Sequence, residues 1–323
     1  MHRLIMILAL FYVSPSYAAE VTDATGRSIT VPDRIEHVLP AGPPASVLLA
    51  AIAPGQMLGY AGPISEAARS DLAPAASGLP NVPRLTGPQD TTADVQALHP
   101  DLIIDYGTVS PRYKQLAQET QKKTGIPTLL FDGALDQIPS VARSLGKILH
   151  QPDQGEAVAR VAEAILALPM PPASHPSVYY ARGADGLLAA APNTDVTAIF
   201  ARLGWRVVAP EGTGTFRPTT IEAVRTLDPD IIILADPEAK DGLAKAPWSG
   251  LRAVRDSHAY IAPSEPFGWI EGPPSVNRLL GLAWLRGSDP LTLAALFNAS
   301  VYNHVLTPAE LLAVAGTTPL FKP

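Results

Sequence analysis

The chain has 323 residues, no Cys and a formal net charge of −6. A negatively charged surface disfavours nucleic acid as a partner. The absence of Cys excludes disulfides, thiolate metal sites and cysteine nucleophiles. A chain of this length exceeds the usual size of a single hydrophobic core, which predicts two lobes.

The first eighteen residues have the three-part pattern of a secretory signal peptide. A positively charged start at Arg3 precedes an apolar run over Leu4–Val13 and a small-residue site at Ser16–Ala18. The apolar run is too short to span about 30 Å of hydrocarbon. We predict cleavage after Ala18 and release into the periplasm. Because no Cys stands at the cleavage site to receive a lipid, we expect a freely diffusing protein.

Short β-type runs alternate with helical stretches along the rest of the chain. The predicted strands are 36–40, 57–61, 102–105, 128–131, 177–181, 205–209, 231–235 and 259–262. Such alternation produces parallel sheets that are covered by helices on both faces. The predicted fold class is therefore α/β, with two Rossmann-like lobes built on mostly parallel sheets and a ligand cleft between them.

Residues 91–104 and 220–233 form an internal repeat without gaps. Each copy is predicted to be a short helix, a Leu-x-Pro-Asp turn and a buried strand. Proline drives the residue before it out of the helical region and so ends the helix. The repeat predicts two related lobes.

Apolar residues recur at helical spacing from Ile138 to Leu168. About thirty residues of helix would span roughly 45 Å. We predict one long helix in a connecting segment, residues 138–172. The N-terminal lobe would then cover residues 19–137, and the C-terminal lobe with its tail helix would cover 173–323.

Several segments resemble the periplasmic binding proteins for siderophores, haem and cobalamin, whose two lobes are joined by one long helix. Residues 21–32 are similar to the family's first hairpin, and the two Leu-x-Pro-Asp units are similar to its signature in each lobe. Residues 247–261 look like its penultimate helix and strand. Phe267-Gly268-Trp269 and residues 273–281 resemble a subgroup of the family.

The resemblance implies a non-enzymatic component of an ABC importer that captures an iron-siderophore, haem or cobalamin-type metal chelate. Its partners would be a permease dimer and a cytoplasmic ATPase. In the family, one Glu on each lobe pairs with permease Arg residues. Glu222 matches this position in the second copy of the repeat, whereas Ala93 stands in the first copy beside Asp94. We predict docking by Asp94 and Glu222, with Glu66 as an alternative to Asp94, and we expect a monomer without a cofactor.

Ligands of open α/β lobes bind beyond the carboxyl ends of the strands. The loops at those ends contain aromatic and Arg side chains that suit a flat or an anionic ligand. We expect Phe216 and Arg217 to face the ligand together. The predicted ligand-binding residues are Tyr60, Tyr106, Arg112, Tyr113, Arg182, Phe216, Arg217, Phe267, Trp269 and Arg278.

Two alternatives remain open at this point. The same fold could bind molybdate, tungstate or a nickel or cobalt chelate, because cleft Arg residues and helix N-termini suit an oxyanion. A secreted hydrolase is the other alternative, although Gly-x-Ser-x-Gly and His-Glu-x-x-His are absent. The His residues are scattered, and we predict no metal site.

Overall fold

The structure is a computed structural model that describes residues 19–87, 89–169 and 175–315. The predicted signal peptide lies outside these ranges. None of the helices formed by the described residues combines the length and the apolar character that crossing a bilayer requires.

The first half of the chain, residues 19–137, starts with an antiparallel hairpin and continues with a three-stranded parallel sheet of order β3-β4-β5. The hairpin prediction is confirmed, and its turn contains Gly26 at a φ of +84°. The strands are β1 (Ala19–Thr22), β2 (Ser28–Val31), β3 (Val38–Pro40), β4 (Leu102–Gly107) and β5 (Thr128–Asp132). The helices are α1 (Pro43–Ile52), α2 (Glu66–Ser70), α3 (Pro74–Ser77), α4 (Thr92–Ala97) and α5 (Pro111–Thr124).

The connection between the halves consists of two helices, α6 (Ile138–Ile148) and α7 (Pro152–Leu166). The prediction of one continuous helix is therefore wrong. His150 has a φ of +55°, which a right-handed helix does not allow, and Pro152 starts α7 at the position where a missing N–H costs nothing. The 15 residues of α7 span only about 22 Å, roughly half the predicted length.

Helices α6 and α7 pack directly against one another. A Cβ atom added to Gly155 would lie 3.0 Å from the Gly146 Cα, so the two backbones meet where both residues lack a side chain. Arg143 of α6 pairs with Glu156 at 2.7 Å and with Glu163 at 2.6 Å, both on α7. Apolar residues along 138–168 thus recur at helical spacing because two successive helices share one buried face. The spacing alone does not distinguish two such helices from one continuous helix.

The second half, residues 175–315, contains a six-stranded mixed sheet of order β11-β10-β6-β7-β9, in which β8 also pairs with β6. Strands β8, β6, β10 and β11 run parallel, whereas β7 pairs antiparallel with β6, and β9 pairs antiparallel with β7. The strands are β6 (Ser177–Arg182), β7 (Leu188–Ala190), β8 (Arg206–Val207), β9 (Phe216–Pro218), β10 (Ile231–Leu234) and β11 (Ala259–Ile261). The helices are α8 (Ala198–Arg202), α9 (Ile221–Leu227), α10 (Lys240–Leu243), α11 (Arg252–Arg255), α12 (Arg278–Leu285), α13 (Pro290–Val301) and α14 (Pro308–Ala315).

The internal repeat is confirmed in the backbone. Helix α4 leads into β4, α9 leads into β10, and each of these strands is the middle one of three parallel strands. The residue before each repeat proline has a positive φ, +47° at His99 and +39° at Asp228. Proline therefore ends the helix in both copies by the same departure from helical geometry.

The repeated Asp has the same contact in both halves. Asp101 accepts a hydrogen bond from the His37 backbone N–H at 2.8 Å, just before β3. Asp230 accepts one from the Ser177 backbone N–H at 2.8 Å, at the start of β6. Each Pro-Asp turn thus fixes the start of the strand beside it.

One hydrophobic core runs through both halves, and each sheet has a further cluster on its outer face. Side chains alternate between the two faces along each strand. On β4, Ile104 and Tyr106 face the shared core and Ile103 faces outward; on β10, Ile233 faces the shared core and Ile232 faces outward. The lobe boundaries at 137/138 and 172/173 stay predictions, and the second lies outside the described residues.

Candidate functional site

A polar cluster occupies the carboxyl ends of β4 and β6, where the two halves meet. Tyr106 is the penultimate residue of β4, and Tyr180 and Arg182 close β6. Tyr106 and Tyr180 belong to the shared core, and Arg182 stands two residues after Tyr180, so it lies on the same face of β6. The cluster is completed by Glu271 from the loop after β11 and by Arg278 at the start of α12.

Glu271 is a buried carboxylate whose partners all come from the second half. Tyr180 Oη donates to Glu271 Oε1 at 3.0 Å, and Arg182 donates to both carboxylate oxygens through Nε and Nη2. Burial raises the pKa of Glu271, and the hydrogen bonds and charge of Arg182 oppose that rise. Arg182 is half-exposed, and its guanidinium carbon lies 4.2 Å from the centre of the Phe216 ring.

Arg278 differs from Arg182 in that no carboxylate of the described residues is ion-paired with it. Only 5 % of Arg278 is exposed. Within the described residues, its recorded hydrogen bond runs from Nη2 to the Asp195 carbonyl oxygen at 3.1 Å, while the buried Nε has no partner. Burial lowers the pKa of the guanidinium, although nearby anionic groups act against this through space. A buried cation with a free donor is costly unless another group compensates it.

Tyr106 reaches the same place from the first half. Its side chain is 2 % exposed, and its buried hydroxyl has no hydrogen-bond partner among the described residues. Burial raises the pKa of Tyr106, and the charge of Arg278 opposes the rise, which places the phenol within electrostatic reach of the guanidinium. The site thus offers two unused donors, one from each half.

The loop that carries Glu271 and Arg278 is built by the motif that resembles a family subgroup. A Cβ on Gly268 would lie 1.8 Å from the Glu271 carbonyl oxygen, so the turn requires glycine. The Asn277 amide donates to the carbonyl oxygens of Gly268 and Pro273. These contacts hold the loop in the shape that places Glu271 opposite Arg182.

Three of the predicted ligand aromatics belong to the core instead. Tyr60, Phe267 and Trp269 are 1 %, 4 % and 0 % exposed. Tyr60 Oη donates to a backbone carbonyl oxygen at 3.3 Å, and Trp269 Nε1 does the same at 3.0 Å. Phe267 packs edge-on against Tyr302. Their contacts are complete within the protein, so they offer no accessible surface to a solute in this conformation.

Arg217 does not join Phe216, contrary to our expectation. The two are neighbours on β9, so their side chains point to opposite faces. Arg217 Nη1 donates to the Pro210 carbonyl oxygen at 2.7 Å, within the loop that precedes the strand. Arg217 therefore has the geometry of a residue that braces this loop.

Arg112 and Tyr113 lie at the start of α5. The Arg112 guanidinium carbon lies 5.8 Å from the centre of the Tyr113 ring, and no contact joins either side chain to the cluster in the described residues.

Sequence analysis missed Tyr180, Glu271 and Asp195. Tyr180 was readable, because it stands two residues before Arg182 in a predicted strand and must share its face. An acidic residue in the apolar loop between Trp269 and Pro273 was the available signal for Glu271. Nothing in the sequence marks Asp195, whose backbone carbonyl and carboxylate each accept a hydrogen bond.

The predicted docking residues are accessible. Asp94 lies in the first turn of α4 and Glu222 in the first turn of α9, and both are exposed, as is Glu66 in α2. In the part of the chain that the structure describes, no group of three or more His, Cys, Asp or Glu side chains could hold a metal ion.

Two α/β halves with a polar cluster where their strand ends meet define a solute-binding protein of the two-lobed type. The family model of the periplasmic binding protein matches residues 65–266, and the chain belongs to this family. It is a family of non-enzymatic binding proteins of ABC importers, which work with a permease and an ATPase and bind small solutes. The hydrolase alternative is therefore wrong.

Solved structures share this fold over nearly the whole chain. An ABC transporter solute binding protein from Sulfurospirillum deleyianum is 21% identical with a TM-score of 0.79, covering 91% of this chain and 98% of its own. A periplasmic solute binding protein from Veillonella parvula is 24% identical with a TM-score of 0.70, covering 94% and 100%. The molybdate periplasmic binding protein MolA of Haemophilus influenzae, bound to molybdate, is 17% identical with a TM-score of 0.65, covering 90% and 99%. No curated protein matches the sequence significantly.

Proposed function

We propose that this protein delivers a small anionic solute of the oxyanion class to its importer, and that Arg278 and Tyr106 bind the oxyanion. The observation that carries the proposal is the buried Arg278, which has a free Nε donor and no carboxylate partner in the described residues. The nearby Glu271 is hydrogen-bonded to Arg182 and Tyr180 and acts on Arg278 only through space.

An oxyanion would complete both halves of the site. A guanidinium offers parallel N–H donors that match two oxygens of one anion, and a charged hydrogen bond of this kind is roughly twice as strong as a neutral one. The Tyr106 hydroxyl would supply a donor from the opposite side. MolA, which has the same fold, was solved with molybdate bound. We therefore take molybdate and tungstate as the first probes.

The metal chelate implied by the sequence resemblance is the second candidate. The stacked pair of Arg182 and Phe216 favours it, because this pair is partly exposed and offers a flat face beside the cluster. The burial of Tyr60, Phe267 and Trp269 weighs against it, since these three rings contribute nothing to an accessible aromatic platform for haem, cobalamin or a ferric siderophore.

Isothermal titration calorimetry of the purified protein distinguishes the two candidates. The panel contains molybdate, tungstate, sulfate and phosphate on one side, and haem, cobalamin and a ferric catecholate on the other. We expect one oxyanion per chain with a dissociation constant of about 1 μM or lower, or about −8 kcal/mol. Saturable binding of a chelate, with no heat from any oxyanion, would overturn the oxyanion proposal in favour of the second candidate.

We also propose that the protein is exported and cleaved after Ala18. The charged start, short apolar run and small-residue site at the N-terminus support this. N-terminal sequencing of protein from a periplasmic extract is expected to begin at Ala19. A chain that retains Met1 would refute the proposal.

We further propose that Asp94 and Glu222 dock the protein onto the permease. Their support is the family resemblance and their exposure in the first turns of the two repeat helices, where a carboxylate is accessible and adds to stability. Asp94→Asn with Glu222→Gln is expected to lower uptake several-fold and to leave solute affinity unchanged. Glu66→Gln is the matched control, and a loss of uptake with this variant instead would move the first-half contact to α2.

A further inference from the structure

Asp195 contacts both sides of the candidate site. It lies in the loop between β7 and α8, and its carbonyl oxygen accepts the hydrogen bond from Arg278 Nη2 at 3.1 Å. Its carboxylate Oδ2 accepts a hydrogen bond from Thr108 Oγ1 at 2.5 Å. Thr108 belongs to the first half and stands two residues beyond Tyr106. One residue thus bonds to the arginine of the second half and to the strand end that carries the tyrosine of the first.

The loop around Asp195 is fixed on the second half. Thr197 is 1 % exposed, and its hydroxyl donates within this loop, to the Ala191 carbonyl oxygen at 3.1 Å. The Thr194 backbone N–H donates to the same hydroxyl at 3.1 Å. These bonds hold the residues that flank Asp195, whereas the recorded bond to the Asp195 carbonyl oxygen itself comes from Arg278. Of the two contacts of Asp195, the one with Thr108 crosses between the halves and would form or break when they move.

These contacts link the residues that carry the two unused donors. The chain from Tyr106 to Thr108, the hydrogen bond from Thr108 to Asp195 and the hydrogen bond from Arg278 to Asp195 connect the free phenol hydroxyl of one half with the free Nε of the other. Both donor atoms are shielded from solvent. A solute therefore reaches them only after contacts between the halves open, and Thr108–Asp195 is an exposed contact of this kind.

We propose that Asp195 is a positioning residue that couples the orientation of Arg278 to the closure of the two halves. With Arg278 bonded to its carbonyl, Asp195 presents its carboxylate to Thr108, and the halves close over the anion site. Without that bond, the loop no longer holds the Asp195 carboxylate where it accepts the hydrogen bond from Thr108. This inference rests on the proposed role of Arg278, but it concerns closure of the solute-free protein as well.

The test measures closure without any solute. Because the chain has no Cys, Gln118→Cys on α5 and Glu238→Cys after β10 introduce two exposed labelling sites, one in each half. Double electron–electron resonance then reports the distance between spin labels at these sites. We expect Thr108→Val to raise the population at longer distances about three- to tenfold, as the loss of one exposed charge-assisted hydrogen bond implies. Asp195→Asn, which keeps an acceptor oxygen, is expected to fall between Thr108→Val and the unsubstituted chain.

Coupling predicts a double-mutant cycle that is not additive. In an Arg278→Gln background the shift caused by Thr108→Val is expected to be small, because Asp195 is already released. Asp136→Asn is the matched control: it weakens another exposed contact between the halves, the ion pair with Arg202 at 2.7 Å, which does not touch Arg278. Its shift is expected to be the same in both backgrounds. Equal shifts from Thr108→Val in both backgrounds, or no shift in either, would overturn the proposal whether or not molybdate binds.

Discussion

The two halves differ in how their buried polar groups are satisfied. In the second half the buried Glu271 is satisfied by Arg182 and by the Tyr180 hydroxyl, and Arg278 keeps a free Nε donor within the described residues. In the first half the Tyr106 hydroxyl has no partner among the described residues, and Asp105, on the opposite face of β4, has a single recorded partner, the Tyr106 backbone N–H at 2.9 Å. The second half thus neutralises its buried carboxylate internally, whereas the first half leaves groups that a solute or a proton can complete.

Replacing Arg278 tests this division most severely. Arg278→Gln removes the buried charge that we assign to the oxyanion, so molybdate affinity is expected to fall about a hundredfold, or about 2.7 kcal/mol. Calorimetric titration of both proteins measures the change. The melting temperature is expected to stay the same or rise, because a buried cation with a free donor destabilises the unliganded fold.

Arg217→Gln is the matched control for that experiment. Arg217 is a loop residue whose guanidinium donates to the Pro210 carbonyl oxygen, so its loss is expected to leave molybdate affinity within about twofold and to lower stability slightly. If Arg217→Gln lowered affinity as much as Arg278→Gln, the assignment of the anion to the buried arginine would be wrong.

The buried carboxyl of Asp105 makes the free energy of unfolding depend on pH. Burial raises the pKa of Asp105 from 3.8 to about 6. The folded protein therefore binds a proton more tightly than the unfolded chain, and this group lowers the free energy of unfolding as pH rises from about 4 to about 6. Asp105→Asn is expected to stabilise the protein by about 2 kcal/mol at pH 7.5 and to have little effect at pH 3.5.

Urea denaturation at several pH values measures this difference. The amide keeps an oxygen for the Tyr106 N–H, so the hydrogen bond is retained while the charge is removed. A constant difference between the two proteins across this pH range would show that Asp105 does not titrate with folding, and the contrast with Glu271 would lose its basis.

Much of the fold was predictable because local rules decide it. The strands at 102–105, 177–181 and 231–235 were found as apolar runs after a helix stop, and all three are central to the sheets. The break at His150 was not found, because two helices with a common buried face keep the period of one. Strands β7 and β9 have three residues each, too few for alternation to be recognised.

The site was only partly predictable, for a geometric reason. Position near the carboxyl end of a strand identifies the correct end of the sheet, and this predicted Tyr106, Arg182 and Arg278, which lie in the polar cluster; their contact with a solute stays a prediction. It does not say whether a side chain turns towards the cleft or towards the core. Trp269 turns to the core, and Arg217 turns away from Phe216, because loop backbone geometry and strand alternation decide these directions.

The two tyrosines provide the finest test of the comparison. Tyr180 donates to Glu271, so Tyr180→Phe removes one donor from a buried carboxylate and is expected to cost about 1 kcal/mol of unfolding free energy, with little effect on molybdate affinity. Tyr106→Phe removes a buried hydroxyl that has no partner, so stability is expected to stay the same or rise slightly. Molybdate affinity is expected to fall about three- to tenfold, the value of one neutral hydrogen bond. Each variant deletes one tyrosine hydroxyl, on opposite sides of the site, and the expected consequences are opposite. The pair therefore controls for any general effect of losing a tyrosine hydroxyl. If both variants lost stability equally and neither lost affinity, Tyr106 would be a core residue like Tyr60, and the first half would contribute no donor to the solute.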